Sequence, residues 1–272
     1  QTITGLLLEV EEAPSTGYTT KWANSGDMET NGMELDLVFN PVRTKSMNWV
    51  SRLSYYTTKS EITALNVDPF NTGGFATFLG AYRIQEGWSP HTMVGSELED
   101  NGDHTVLGNE TPDYIMGLNN RLQFGPFSLV AHIDIKEGGD IINLQKLISD
   151  LGGTTYDYDS ETLDLDEDGT KSGNGNERLT VLGGVTAPYI EDGSYVRLSE
   201  LSLNYNVPKS MLGGMVSSMQ IGVSARDWWI STDYSGWNPD VSQFGNVAVG
   251  GSVDTGPYPM SRALYFNVSV GL

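Results

Sequence analysis

The chain has 272 residues, with 15 Lys and Arg against 35 Asp and Glu, a formal net charge of −20. A surface of that sign repels nucleic acid and anionic headgroups, so no DNA or RNA partner is expected. There is no cysteine, which removes disulfide scaffolds, Cys-ligated zinc and a Cys nucleophile, while 32 Gly and 10% aromatics point to β structure rich in turns.

Alternating segments follow one another along the chain. The stretch 2–10 is a weak strand candidate. In the 28–40 strand, Met33, Leu35, Leu37 and Phe39 share one face and Glu34 and Asp36 the other. The 46–60 strand sets Trp49, Leu53 and Tyr55 opposite Arg52 and Ser54, and the 113–124 strand sets Leu118, Leu122 and Phe124 against Asn119, Arg121 and Gln123. The 127–140 strand alternates most sharply: Phe127, Leu129, Ala131, Ile133 and Ile135 against Ser128, Val130, His132, Asp134 and Lys136. Strands at 195–207, 218–230 and 261–272 complete the series, the last with Leu264, Phe266, Val268, Val270 and Leu272 on one face. A period of two means extended chain with one apolar and one wet face.

The connections fall into two classes. Those at 40–48, Gly125-Pro126 and 208–218 are short, whereas 11–26, 141–194 and 231–260 are long, polar and Gly-rich. Long loops at one end and short turns at the other are the habit of outer-membrane barrels. Counting strand directions back from the C-terminus leaves either no spanning strand or two in 61–112, where AYRIQEGW (81–88) is a candidate, for eight or ten strands in all. No apolar run reaches the ~18 residues of a transmembrane helix. Barrel strands hide their lipid face in alternation. Trp49 beside a short turn, and Trp228 and Trp229 at a loop end, suit interfacial aromatic girdles.

Catalytic constellations are absent: His91, His104 and His132 share no zinc spacing, and no G-x-S-x-G elbow occurs. Within 157–175, Asp164, Asp166, Asp168 and Gly169 match the D-x-D-x-D-G opening of a calcium loop, which makes the three aspartates candidate calcium ligands. Gly175 stands where the bidentate Glu belongs, and a solvated acidic loop is the competing reading. The acidic stretch 97–105 reads as a turn first.

Several blocks resemble one family in order. GDMETNGMELDLVFNPVRTKSMNWVSRLSY (26–55), DNGDHTVLGNETPDYIMGLNNRLQFGPFSL (100–129), SYVRLSELSLNYNVPKSML (194–212), SARDWWISTDYSGWNPDVSQFG (224–245) and GPYPMSRALYFNVSVGL (256–272) are similar to the C-terminal barrel of SusC/RagA-type TonB-dependent outer-membrane transporters. The family's terminal aromatic is replaced by Leu272, and 61–98 matches poorly. The resemblance implies an all-β chain, residues 1–272 forming part of a barrel of about 22 strands with no plug domain of its own. It implies a bacterial outer-membrane location and no enzymatic activity. It also implies TonB-dependent import of an oligosaccharide or peptide, requiring no cofactor. The implied partners are outer-membrane lipid, the remaining barrel and plug, TonB through an N-terminal part, and a SusD-like surface lipoprotein. The wet-face residues Asp36, Arg52, Asn119, Arg121, His132, Asp134 and Lys136 would line the lumen or bind the plug, and Tyr234 and Trp237 would contact solute or partner. Two other readings stay open: a secreted β-sandwich binding carbohydrate or calcium, and a structural barrel component of a larger outer-membrane assembly.

Overall fold

The computed structural model describes residues 1–72, 80–96, 105–164, 169–181, 186–241 and 249–272. In chain order the strands are β1 (Thr2–Glu11), β2 (Thr20–Arg43), β3 (Met47–Leu65), β4 (Phe70–Thr72), β5 (Ala81–Ile84), β6 (Thr92–Gly95), β7 (Thr105–Asn109), β8 (Pro112–Phe124), β9 (Phe127–Gly138) and β10 (Ile141–Asn143). Helices α1 (Leu144–Leu151) and α2 (Gly175–Val181) follow. Then come β11 (Ile190–Glu191), β12 (Tyr195–Asn206), β13 (Ser218–Ser231), β14 (Val253–Asp254) and β15 (Ala263–Gly271). No described helix is long and apolar enough to cross a membrane.

Eight strands form one antiparallel meander, β1-β2-β3-β8-β9-β12-β13-β15, in which sequence neighbours in the wall are also spatial neighbours. Among the described residues of 61–112 there is no further wall strand; β4–β7 form a separate four-stranded sheet. The register carries the alternation across the wall. Leu37 lies opposite Leu53, Leu53 opposite Leu118, and Leu118 opposite Ile133. Leu203 lies opposite Val223, which lies opposite Phe266. One face is therefore a continuous apolar band. On β8 it runs from Tyr114 to Phe124, about 25 Å high once the ~3.3 Å rise and a barrel's tilt are applied.

Aromatic side chains sit at both rims of the band. Tyr55 stacks on Tyr114 with centroids 5.6 Å apart at the upper rim, and Phe127 meets Tyr205 at 4.9 Å at the lower. Within the band, Asn120 is a polar residue on the apolar face, and Trp49 Nε1 donates to its Oδ1 at 3.0 Å. Lipid offers no competing partner, so such a group must be satisfied internally.

Two of the lower turns, β2–β3 and β8–β9, are tight. Gly125 has φ +53°, and Pro126 follows it between β8 and β9, the pattern of a II′ hairpin whose twist matches the strands. The upper side differs from expectation. β2 begins at Thr20, so much of the expected 11–26 loop is strand, and β1 pairs only with Thr20–Glu29. β1 thus lies above the band, and the edge of β2 from Met33 to Phe39 has no partner among the described residues.

Above the other strands, the described residues of the segments 66–111, 139–194 and 232–262 fold together into a cap. Its core is Tyr82, Met93, Ile142, Leu144, Leu147, Tyr189 and Val253, all buried. The three-stranded sheet β11-β10-β14 joins two of these segments, with β10 and β14 parallel. Thr186 binds the third: its N–H donates to Ser96 O at 2.7 Å, and its Oγ1 accepts from Ser96 N at 2.6 Å. The 141–194 stretch was expected as loop, but it contains α1 and α2. Asn143 Oδ1 caps α1 by accepting from Lys146 N at 2.9 Å. At α2, Asn174 Oδ1 accepts from Glu177 N at 3.3 Å while Glu177 Oε2 accepts from Asn174 N at 3.1 Å, a reciprocal capping pair.

Candidate functional site: the polar face of the wall

The second face of the wall is polar, because every residue between two band residues must point the other way. Asp36 forms a two-pronged ion pair with Arg52 on the neighbouring strand. Asn119 Nδ2 donates to His132 Nδ1 at 3.3 Å, and His132 Nε2 donates to Asp134 Oδ1 at 2.8 Å. Ser199 Oγ donates to the other Asp134 oxygen. Four residues on three adjacent strands thus form one hydrogen-bonded row. Arg121 faces the same side, exposed. Lys136 Nζ donates to Pro239 O at 3.1 Å, so it is tied to a loop.

Below this row lie amides: Asn48 opposite Gln123, and Asn204 and Asn267 on either side of Gly222. A Cβ at Gly222 would come within 2.2 Å of both amide oxygens, so any larger residue there would have to displace both amides. At band level the strands carry six acids (Glu34, Asp36, Asp134, Glu137, Glu200, Asp227) and six bases (Arg43, Arg52, Arg121, Lys136, Arg197, Arg226). The wall is nearly neutral, so the net charge of −20 belongs to the cap and the projecting segments.

Sequence reasoning missed Ser199, Glu200 and Arg197 on β12. A bulge between Leu198 and Glu200, matched by Asp227 at φ +49° on β13, shifts the alternation there and hides the pattern. Arg197 is buried. Its Nη2 donates to Asn238 Oδ1 at 2.6 Å, it pairs with Asp240 at 3.4 Å, and its guanidinium stacks 4.5 Å from the Tyr195 ring centroid. Lys136 and Arg197 thereby pull residues 238–240 onto the polar face.

Of the two loop-contact candidates, Trp237 is 67% exposed, whereas Tyr234 is 5% exposed. Tyr234 is corrected to a structural residue: its hydroxyl donates to buried Asp254 Oδ2 at 2.6 Å. Burial, reinforced by that carboxylate, raises the phenol's pKa above its ordinary value.

For the calcium candidates, Asp166 and Asp168 lie outside the described residues, as do His104 and most of the 97–105 turn. Asp164 Oδ2 accepts from Gly169 N at 2.9 Å, and its Oδ1 is buried without a partner. Glu177 is committed to capping α2. No metal-ligand cluster occurs among the described residues. Among the described residues the most deeply buried charged cluster serves the cap itself. Arg178 is fully buried and grips Asp150 at 2.6 and 2.7 Å and Asp157 at 2.9 and 3.1 Å. Burial opposes the guanidinium's charge, but the two carboxylates outweigh it and raise the Arg178 pKa; burial likewise opposes the Asp157 charge, and Arg178 outweighs it and lowers that pKa.

No family model matches the chain. Among characterised proteins it is 25% identical to TonB-dependent receptor P3 of Formosa agariphila over 93% of this chain and 30% of that protein. It is also 25% identical to TonB-dependent receptor P26 of the same organism, over 97% and 31%. Among solved structures it superposes on the RagAB peptide transporter with a TM-score of 0.69 at 19% identity, over 98% of this chain and 31% of that one. The RagAB peptide importer in the "closed-closed" state gives 0.69 at 18%. The chain therefore spans about a third of the length of the relatives it matches. Those relatives are receptors and transporters rather than enzymes, and the chain folds as part of a barrel of that kind. The apolar band and this kinship together place it in the outer membrane.

Proposed function

We propose that the chain is part of the wall and outer cap of a SusC/RagA-type importer, which takes up an oligosaccharide or peptide across the outer membrane. In this reading the rest of the barrel covers the two free strand edges, since unpaired backbone is not tolerated in lipid. A plug fills the lumen against the Asn119–His132–Asp134–Ser199 row, TonB drives its movement through the N-terminal part, and a SusD-like lipoprotein rests on the cap. The wall would bind and enclose its cargo and perform no covalent chemistry.

The observation that carries this reading is the pairing of a lipid-type face with a hydrogen-bonding face across every band-level strand, beneath loops that are long on one side only. Kinship to TonB-dependent receptors supports it. The test is uptake by cells expressing the whole protein, with radiolabelled oligosaccharide and peptide pools, before and after the inner-membrane proton gradient is collapsed. Uptake that stops on collapse and is absent from a deletion strain is expected. Uptake that continues after collapse sinks the energy-coupled reading.

A further inference from the structure

We infer that Trp237 is a solute-contacting residue at the lumen mouth, and that the group it receives is the cationic side chain of a lysine- or arginine-containing peptide. The inference deepens the import reading and rests on it. Three observations carry it. The Tyr234–Asp240 segment is pinned at both ends: Tyr234 is anchored to Asp254 inside the cap, while Asn238, Pro239 and Asp240 are held by Arg197 and Lys136. Both of those cations project from the polar face, so the segment folds inward over the lumen side of β9 and β12 and away from the lipid side. Between the anchors stands Trp237, a large ring left 67% in solvent on a tethered loop.

The ring's chemistry and the protein's charge select the guest. An indole face is the best side-chain partner for an ammonium or guanidinium. The band-level wall is nearly balanced in charge, so the acidic excess lies in the cap and projecting segments, one of which carries Trp237, and it favours a cationic guest over an anionic one. The nearby protein cations do not compete, because Lys136 is bound to a carbonyl and Arg197 is stacked on Tyr195 and bonded to Asn238. Arg197 acts as a positioning residue, setting where the ring sits.

The test uses the whole transporter purified from outer membranes in detergent. Binding is measured by calorimetry for four probes: an eight-residue Ala/Lys peptide, its Ala/Ser and Ala/Glu counterparts, and maltoheptaose. The Lys peptide should bind tightest, and Trp237→Ala should weaken it about tenfold, Trp237→Phe by about threefold. Raising salt from 0.05 to 0.5 M should weaken it further, because the steering field is screened. Arg197→Met should weaken binding too, yet add little in the Trp237→Ala background, a coupling that mere loss of stability would not produce. Equal binding of the Lys and Ser peptides, preferential binding of maltoheptaose, no binding of any probe, or indifference to Trp237→Ala overturns the inference. Failure of the import reading is distinct: binding would keep its dependence on Trp237 while uptake ignored the proton gradient.

Discussion

The wall and the cap bury opposite things. In the wall the large apolar side chains share one face, with Phe266 80% exposed, and the charges and amides share the opposite face. In the cap, made from loops of the same strands, Tyr82, Ile142 and Val253 point in, and the buried carboxylates Asp150, Asp157 and Asp254 are each held by a partner. The same physical rule acts in two solvents. Lipid accepts apolar surface and refuses unpaired backbone, whereas water does the reverse, so each region arranges its residues around the solvent it meets. It follows that the cap is a small folded body in its own right, and that its stability and the wall's are separable.

The sharpest way to break that separation is Arg178→Met. It leaves Asp150 and Asp157 buried without their counter-charge, at a cost of about 3–5 kcal/mol. Limited proteolysis should then cut within 139–194, while the wall keeps its heat-modifiable mobility on gels; loss of both together would show that cap and wall fold as one. On the wall side, Val268→Arg should cost about 2–4 kcal/mol at the bilayer midplane, read from denaturant unfolding in lipid vesicles. Asn267→Arg, one residue away on the polar face, should cost much less; equal costs would contradict the assignment of faces.

Tyr234→Phe removes a donor to buried Asp254 and should destabilise the cap by about 1–3 kcal/mol. The same residue gives a pH signature. The phenol pKa values of Tyr82, Tyr189 and Tyr234 are all raised, chiefly by burial. The stability linked to their neutral forms is fully present below the ordinary phenol value of about 10 and is lost as pH rises above it. Hydrogen exchange should therefore show the cap opening above about pH 10 before the wall does. Trp49→Phe should have the smallest effect, about 1 kcal/mol, by leaving Asn120 without its donor in lipid; no change in vesicle unfolding would mean that the amide finds another partner.

Most of the wall was legible in the sequence because period-two alternation and turn chemistry are local signals. Gly125-Pro126 marks its hairpin, and the strand directions allowed either no spanning strand or two in 61–112; the described residues there supply none, and 81–88, offered as a possible spanning strand, contributes β5 to the separate four-stranded sheet. The polar row was legible as a face through His132 and Asp134, but its β12 member Ser199 was hidden by a bulge that breaks the period. The cap was not legible, since its core joins Met93, Leu147 and Val253 from three distant loops, and such contacts leave no periodic trace. Two of its helix starts did leave one: Asn143 with Lys146, and Asn174 with Glu177, stand at capping distance. The acidic character of the neighbouring residues drew the reading toward a metal loop, and the burial of Tyr234 depended on Asp254, twenty residues away.

The length of β2 has its own consequence. Thirteen residues separate Met33 at the top of the band from Thr20 at the start of the strand, a reach of about 40 Å along a paired ribbon. Tyr18 and Trp22, both well exposed, ride near its end. The tip stands far from both the band and the buried core of the cap, so an inserted epitope tag there would disturb neither.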